Sequence, residues 1–159
     1  MQKKSGGIIL YRFRNSKFEV LLVHPGGPFW VKKDLGAWSI PKGEFTDEET
    51  PLDAAIRELY EETGCQISGD FIVLTPRKQK NGKVIYAYAI EHDFDAELLK
   101  SNTFKIEWPP KSGKEQEFPE IDRAEWFNYE TSRQKLNEAQ AEIIEELANQ
   151  LRMKGLMCR

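Results

Sequence analysis

Glu58, Glu61 and Glu62, with Arg57 beside them and Glu49 upstream, are the residues of this chain whose types and spacing point to chemistry. The stretch runs Gly43, five residues, Glu49, seven residues, Arg57-Glu58-Leu59, one residue, Glu61-Glu62, one residue, Gly64. On a helix the three glutamates fall within one turn of each other, where like charges at i,i+4 repel by about a few tenths of a kcal/mol. A hard divalent cation reverses that sign. Magnesium prefers carboxylate oxygen, keeps several waters, and is commonly shared between one or two protein carboxylates and substrate phosphates. The cluster therefore reads as a metal seat for phosphoanhydride hydrolysis. The competing reading is a solvated acidic face with Arg57 as its counter-ion.

The helix that must position these groups is marked at both ends. Thr50 suits an N-cap, Pro51 the first helical position, and Asp53 the reciprocal place in a capping box. Gly64 supplies a left-handed stop. Leu52, Ile56, Leu59 and Thr63 recur at steps of four, three and four, so one face points at a core while Glu58, Glu61 and Glu62 take an adjoining face.

Together with the preceding Pro41-Lys42-Gly43, this pattern resembles the signature of the Nudix hydrolases over residues 43–65. Gly43, Glu49, Arg57, Glu58, Leu59, Glu61, Glu62 and Gly64 match every fixed position but the last. There an aliphatic residue is usual and this chain has Cys65, itself a small and commonly buried hydrophobe. The resemblance implies an α+β fold of the Nudix type, an α/β/α sandwich with a mixed β-sheet, and a water activated by Mg2+ or Mn2+ and a glutamate. It implies metal ligation by Glu58, Glu61, Glu62 and the backbone carbonyl of Gly43, and a Glu49–Arg57 pair orienting the loop against the helix. Taken alone, that pair could equally be an ordinary surface salt bridge.

Many members recruit a further carboxylate beyond the signature, for which Glu115, Glu117 and Glu120 are available. Glu120 stands six residues before Trp126, a spacing found in some relatives, and is the first choice as ligand or general base; Glu58 is the other choice for the base. Trp38, Tyr86, Tyr88 and Trp30 are the aromatic side chains that could stack on a base. Lys32, Lys33, Lys42, Arg77 and Lys83 could hold outlying phosphates. The segments Trp38–Lys42 and Lys83–Tyr86 resemble the diadenosine polyphosphate hydrolase branch, although Tyr86 comes 21 residues after Cys65, later than the branch usually has it. The expected substrate is thus a small nucleotide, a nucleoside diphosphate linked to another moiety. A dinucleoside polyphosphate leads; nucleoside triphosphates and ADP-ribose or nucleotide sugars are the enzymatic alternatives, and a cap-removing enzyme on RNA ends is disfavoured for want of an evident basic channel. A sensing module without catalysis is disfavoured, because every helix carboxylate is present.

Composition sets further bounds. The 159 residues suit one domain with a sizeable core. A formal charge of -3 argues against a stable nucleic-acid partner, which would want a basic stripe. Cys65 and Cys158 lack metal-ligand spacing, and with no disulfide framework expected the anticipated compartment is the cytoplasm. The apolar run after Lys3-Lys4 is broken by Arg12 and Arg14, which predicts no membrane span and no signal peptide. A monomer or homodimer is expected.

Along the chain, Gly7–Phe13 and Phe18–Val23 read as a hairpin, 24–36 as a loop, and Ala37–Ile40 as a short strand. Phe71–Gln79 and Val84–His92 flank an Asn81-Gly82 turn. Phe104–Trp108 and Arg123–Phe127 are further strand candidates. The last helix spans Asn137–Met153, with Ile143, Ile144, Leu147 and Leu151 as its apolar stripe.

Overall fold

The computed structural model describes residues 3–157; Cys158 lies outside them. Strand β1, Lys4–Arg14, is the spine. It turns at Asn15 and Ser16, both at positive φ, into β2, Lys17–Pro25, as a two-residue hairpin whose twist matches that of the strands. β3, Lys42–Phe45, pairs antiparallel with Lys4–Gly7 of β1. β6, Val84–Glu91, runs parallel to Lys4–Tyr11 along the opposite edge. Since a strand has only two edges, β2 and β3 share one edge of β1, and the sheet forks between them. Ser39 bridges to Val23 of β2, and three residues later the chain has crossed to β1. The peptides Pro41 to Gly43 therefore emerge from the fork.

Helix α1, Pro51–Thr63, starts as its sequence predicts: Thr50 accepts a hydrogen bond from the Asp53 backbone N–H, and Gly64 closes it at φ +83°. α1 lies directly on β1, because a Cβ at Gly6 would meet the Pro51 carbonyl oxygen at 2.8 Å. Alternation along β1 divides the core between the two faces of the sheet. Ile8 and Leu10 join Ala55, Leu59 and Cys65 beneath α1. Ile9 and Tyr11 join Ile143, Ile144, Leu147 and Leu151 of α3, Glu138–Met153, on the other face. The anticipated α/β/α sandwich with a mixed sheet is what forms.

Several elements depart from the sequence expectation. Ala37–Ile40 contributes only the Ser39 bridge, and the pairing strand is β3, a few residues later. The expected strand Phe71–Gln79 splits into β4, Ile72–Val73, and β5, Arg77–Lys78, on either side of Pro76, which has no N–H to give to a ladder. β7, Thr103–Glu107, pairs with an unanticipated β8, Glu115–Pro119, as a separate two-stranded sheet. β9, Ile121–Asn128, pairs with β2, and an unanticipated short helix α2, Tyr129–Lys135, follows it, capped by Asn128.

Candidate active site

The fork delivers Gly43 against α1 with no room for a side chain: a Cβ there would stand 2.0 Å from the Glu58 carboxyl carbon and 2.2 Å from each of its oxygens. A side chain at 43 would thus have to displace the Glu58 carboxylate, which is pressed onto the β3 backbone. One turn on, Glu62 points back beneath the fork and accepts a hydrogen bond from the Lys42 backbone, while its Oε2 is covered and has no hydrogen-bond partner. Burial, then the neighbouring Glu58 charge, push the Glu62 carboxyl well above the ordinary carboxylate range, with Glu120 adding to the effect. Glu58 is also raised, by burial first and then by Glu61 and Glu120, against the opposing pull of Arg57. Burial pushes the Lys42 ammonium below its usual value, and Glu62, Glu44 and Glu58 resist that.

Arg57 organises the rim. Its Nε and Nη2 donate to the two oxygens of Glu49 at 3.2 and 2.7 Å, a bidentate fork. Its Nη1 donates to Glu58 at 2.9 Å and to Glu61 at 3.1 Å. The guanidinium thus engages both Glu58 and Glu61, and among the described residues no three His, Cys, Asp or Glu side chains converge into a ready-made metal shell. A divalent ion still fits the donor set. Glu62 Oε2 lacks a partner, Glu58 and Glu62 carry the mutual repulsion and burial that a cation relieves, and the Gly43 backbone has direct access to Glu58.

Glu120 lies in the bend between β8 and β9 and is exposed. Its backbone is pinned by Glu120 N–H to Asn102 O and Gly26 N–H to Glu120 O, both 2.8 Å. It is close enough for its charge to be felt at Glu58 and Glu62. Glu115 and Glu117 lie on the exposed hairpin strand β8.

Lys42, Glu62 and Glu120 line one cavity of about 410 Å³, with Trp30, Trp38 and Gln79 in its walls. Of the expected substrate contacts, Lys42 and Trp38 are therefore at this cavity. Trp38 is only 2% exposed, its Nε1 donating to Asp34 and its ring stacked edge-on with His24 and Phe127, so it is a wall and not a free platform. Tyr86, Tyr88, Arg77 and Lys83 are placed elsewhere. Tyr86 meets Phe45, and Tyr88 packs into the core beneath α1. Arg77 pairs with Glu142 and Glu146 of α3, and Lys83 with Glu44.

Two buried amides of the cavity were not singled out as site residues from the sequence. Gln140, 1% exposed, accepts from the Ile40 backbone N–H at 2.9 Å and donates to Ser39 Oγ at 3.2 Å and Gln79 Oε1 at 3.4 Å. Gln79 is a lone glutamine ahead of a turn, and nothing local in the sequence marks it.

A NUDIX domain model matches residues 1–147. The chain belongs to the NUDIX family. Over 82 residues this NUDIX chain is 35% identical to mRNA decapping complex subunit 2 of Schizosaccharomyces pombe, a match over 48% of this chain and 11% of that protein. Over 29 residues it is 63% identical to an RNA pyrophosphohydrolase of Bartonella tribocorum, covering 18% of this chain and 17% of the other. The matched stretch thus spans less than a fifth of either relative. A solved C. elegans Ap4A hydrolase complex shares the NUDIX fold at a TM-score of 0.66, with 17% identity over 94% of this chain and 98% of that one. No helix among the described residues is long and apolar enough to cross a membrane.

Proposed function

We propose that this NUDIX domain is a magnesium- or manganese-dependent hydrolase of a phosphoanhydride bond in a nucleoside diphosphate linked to another moiety, with a dinucleoside polyphosphate such as diadenosine tetraphosphate as the leading substrate. The observation that supports this most is the partnerless Glu62 oxygen near Glu58, both carboxyls raised first by burial and then by neighbouring acids, at a glycine whose Cβ would run into the Glu58 carboxylate. Two buried acids in mutual repulsion are costly unless a cation joins them.

Glu58, Glu61, Glu62, Glu120 and the Gly43 carbonyl would hold the metal. Bound there, it supplies charge neutralisation of the phosphate oxygens and lowers the pKa of a coordinated water. Lys42, at the wall of the same cavity, binds a phosphate oxygen of the substrate. Glu58 or Glu120 takes the proton of the attacking water, and exchange of each for Gln separates the two by the rate that survives. Arg57, clamped by Glu49, keeps Glu58 oriented at the fork. One water is consumed, one P–O bond breaks and one forms, and the leaving phosphate departs with its negative charge balanced by Lys42.

The named relatives are an mRNA decapping subunit and an RNA pyrophosphohydrolase, which gives a second reading: a polyphosphate or cap on RNA as the linked moiety. A product analysis with magnesium in excess tests both. The panel is diadenosine tetraphosphate, nucleoside triphosphates, ADP-ribose, nucleotide sugars and a 5′-triphosphorylated oligoribonucleotide. The leading reading expects the dinucleotide to show the highest kcat/KM. A tenfold advantage for any other compound moves the assignment to that compound, and no cleavage of any of them sinks the hydrolase reading.

A further inference from the structure

Among the described residues, four of the nine exposed large hydrophobic side chains crowd into one stretch of the loop after β2: Phe29, Trp30, Val31 and Leu35, between 40 and 71% exposed. Every residue from 29 to 36 is exposed. The stretch is nevertheless held from behind. Buried His24 donates from Nε2 to the Lys33 carbonyl oxygen at 2.7 Å, Asp34 accepts from Trp38 Nε1 and pairs with Lys135, and the Gly36 N–H donates to Gln134 O at 3.2 Å. Phe29 meets Trp108, at the turn of the β7–β8 hairpin, edge-on at 5.3 Å. A backbone fixed in this way keeps its apolar side chains from turning onto the core, so they stay in water at a cost that grows with their area. Clustered apolar surface of this kind marks contact with a partner or a membrane.

Lysines accompany these side chains. Lys32 and Lys33 lie within the stretch, with Lys33 Nζ 4.9 Å from the Trp30 ring centroid. The Trp108 N–H donates to Lys114 O at 2.9 Å, so the contact between Phe29 and Trp108 brings the turn bearing Lys111 and Lys114 alongside. Among the described residues the lysines in ion pairs are Lys3, Lys4, Lys83 and Lys135, which leaves these four ammonium groups unpaired. Of the nearby acids, Asp34 is engaged by Trp38 and Lys135, and Glu107 faces Glu115 across the hairpin below the turn. A chain of net charge -3 thus gathers positive charge around its largest group of exposed apolar side chains.

We propose that this loop, together with the turn of the β7–β8 hairpin, docks on an anionic lipid surface: Phe29, Trp30, Val31 and Leu35 enter the headgroup layer, and Lys32, Lys33, Lys111 and Lys114 meet the lipid phosphates. Valine and leucine have no ring to stack on a nucleobase but transfer favourably into hydrocarbon, which separates this patch from a track for single-stranded nucleic acid. Tryptophan suits the boundary, with an apolar body and an N–H at one edge. Lysine stems lie along apolar surface while their ammonium groups stay in the polar layer. A second copy seated on the same patch would set lysine against lysine. Attraction of lysines to anionic lipid falls off within a Debye length, so docking weakens as salt rises. Trp30 also lines the cavity with Lys42, Glu62 and Glu120, so docking sets that cavity beside the headgroups. Nothing in the docking depends on which phosphoanhydride is cleaved.

Co-sedimentation of the full chain with vesicles of phosphatidylcholine, and of phosphatidylcholine mixed equally with phosphatidylserine, tests this. The mixed vesicles should bind the chain at least about tenfold more tightly than phosphatidylcholine alone, and added salt should release it. Val31→Ser combined with Leu35→Ser should weaken binding about tenfold. Lys32→Gln and Lys111→Gln should each weaken it about fivefold. Val73→Ser, at an equally exposed valine on edge strand β4, should bind as the parent does. Brominated lipid should quench the tryptophan emission of the parent, and Trp30→Phe should lose most of that quenching. All these positions are exposed, so thermal melts of the variants should stay near the parent. Absence of binding to the mixed vesicles overturns the proposal, as does binding that the Val31, Leu35 and lysine variants leave unchanged. An oligouridylate that binds while vesicles do not, with the same variants impaired, assigns the patch to nucleic acid. Self-association in sedimentation velocity that the Val31 and Leu35 exchanges abolish, with no vesicle binding, assigns it to a second copy; either result overturns the lipid proposal.

Discussion

Gly43 and Glu58 are in such close apposition that a Cβ at 43 would stand 2.0 Å from the Glu58 carboxyl carbon. The contact ties the sheet fork to the helix face bearing the acids, so a side chain at 43 acts on the position of Glu58. Gly43→Ala should displace Glu58 or the strand, costing roughly 1–3 kcal/mol of stability. Turnover should fall about a hundredfold, because a misplacement near 1 Å is enough for that. Urea denaturation and initial rates check both; an alanine variant with parental rate would show that Glu58 need not keep this position.

Glu62→Gln should stabilise the metal-free protein. Its carboxyl is raised in the fold, so between the ordinary carboxylate pKa and the raised value the native state binds the extra proton, and stability falls as pH rises through that window. Above the ordinary carboxylate pKa the parent therefore carries a cost that the amide removes. Thermal melts in EDTA from pH 4 to 8 should show the variant with the higher Tm at neutral pH and a flatter profile. A shift of 1 kcal/mol corresponds to about 2–4 °C for a chain of this size. Turnover should be lost in the same variant.

Much of this was legible in the sequence because it was written locally. Thr50 and Gly64 bounded α1, Asn137 capped α3, and Asn15-Ser16 closed the first hairpin, each through a bond or backbone angle set within a few residues. The order of acids along α1 followed from helical periodicity alone. What was not legible depended on distant partners. β3 exists because β1 offers a vacant edge beyond the fork, which no property of Lys42–Phe45 announces. β8 is polar and pairs only with β7, so it lacks the apolar alternation of a strand with a buried face. Trp38 looked like a platform and became a wall, because His24, Phe127 and Asp34 close on it from remote segments. Gln79 acquires meaning only beside Gln140 and Asn137 of the last helix.

Glu49→Gln should separate stability from catalysis. The Glu49–Arg57 pair is partly exposed, which limits its contribution to roughly 0–1 kcal/mol. Arg57 holds the Glu49 carboxyl below the ordinary range, so the contribution is present at neutral pH and fades as pH falls through that lowered value. Released from Glu49, Arg57 is left to Glu58 and Glu61, and activity should fall about 10- to 100-fold. Equal small losses in both measurements would reduce the pair to a surface contact.

Gln140→Ala should be a folding mutation. It strips the Ile40 backbone N–H of its acceptor inside the protein, for which the expected cost is about 1–3 kcal/mol. Denaturation midpoints report it, and a neutral variant would mean that water replaces the amide at Ile40.

The central claim is that Glu58 and Glu62 together hold a divalent cation, and titration of Mn2+ or Mg2+ into the parent, Glu58→Gln and Glu62→Gln tests it most directly. The account predicts saturable binding by the parent at millimolar metal or below, weakened at least about tenfold in each variant. A parent that shows no saturable binding at millimolar metal, or variants that bind as the parent does, would contradict it.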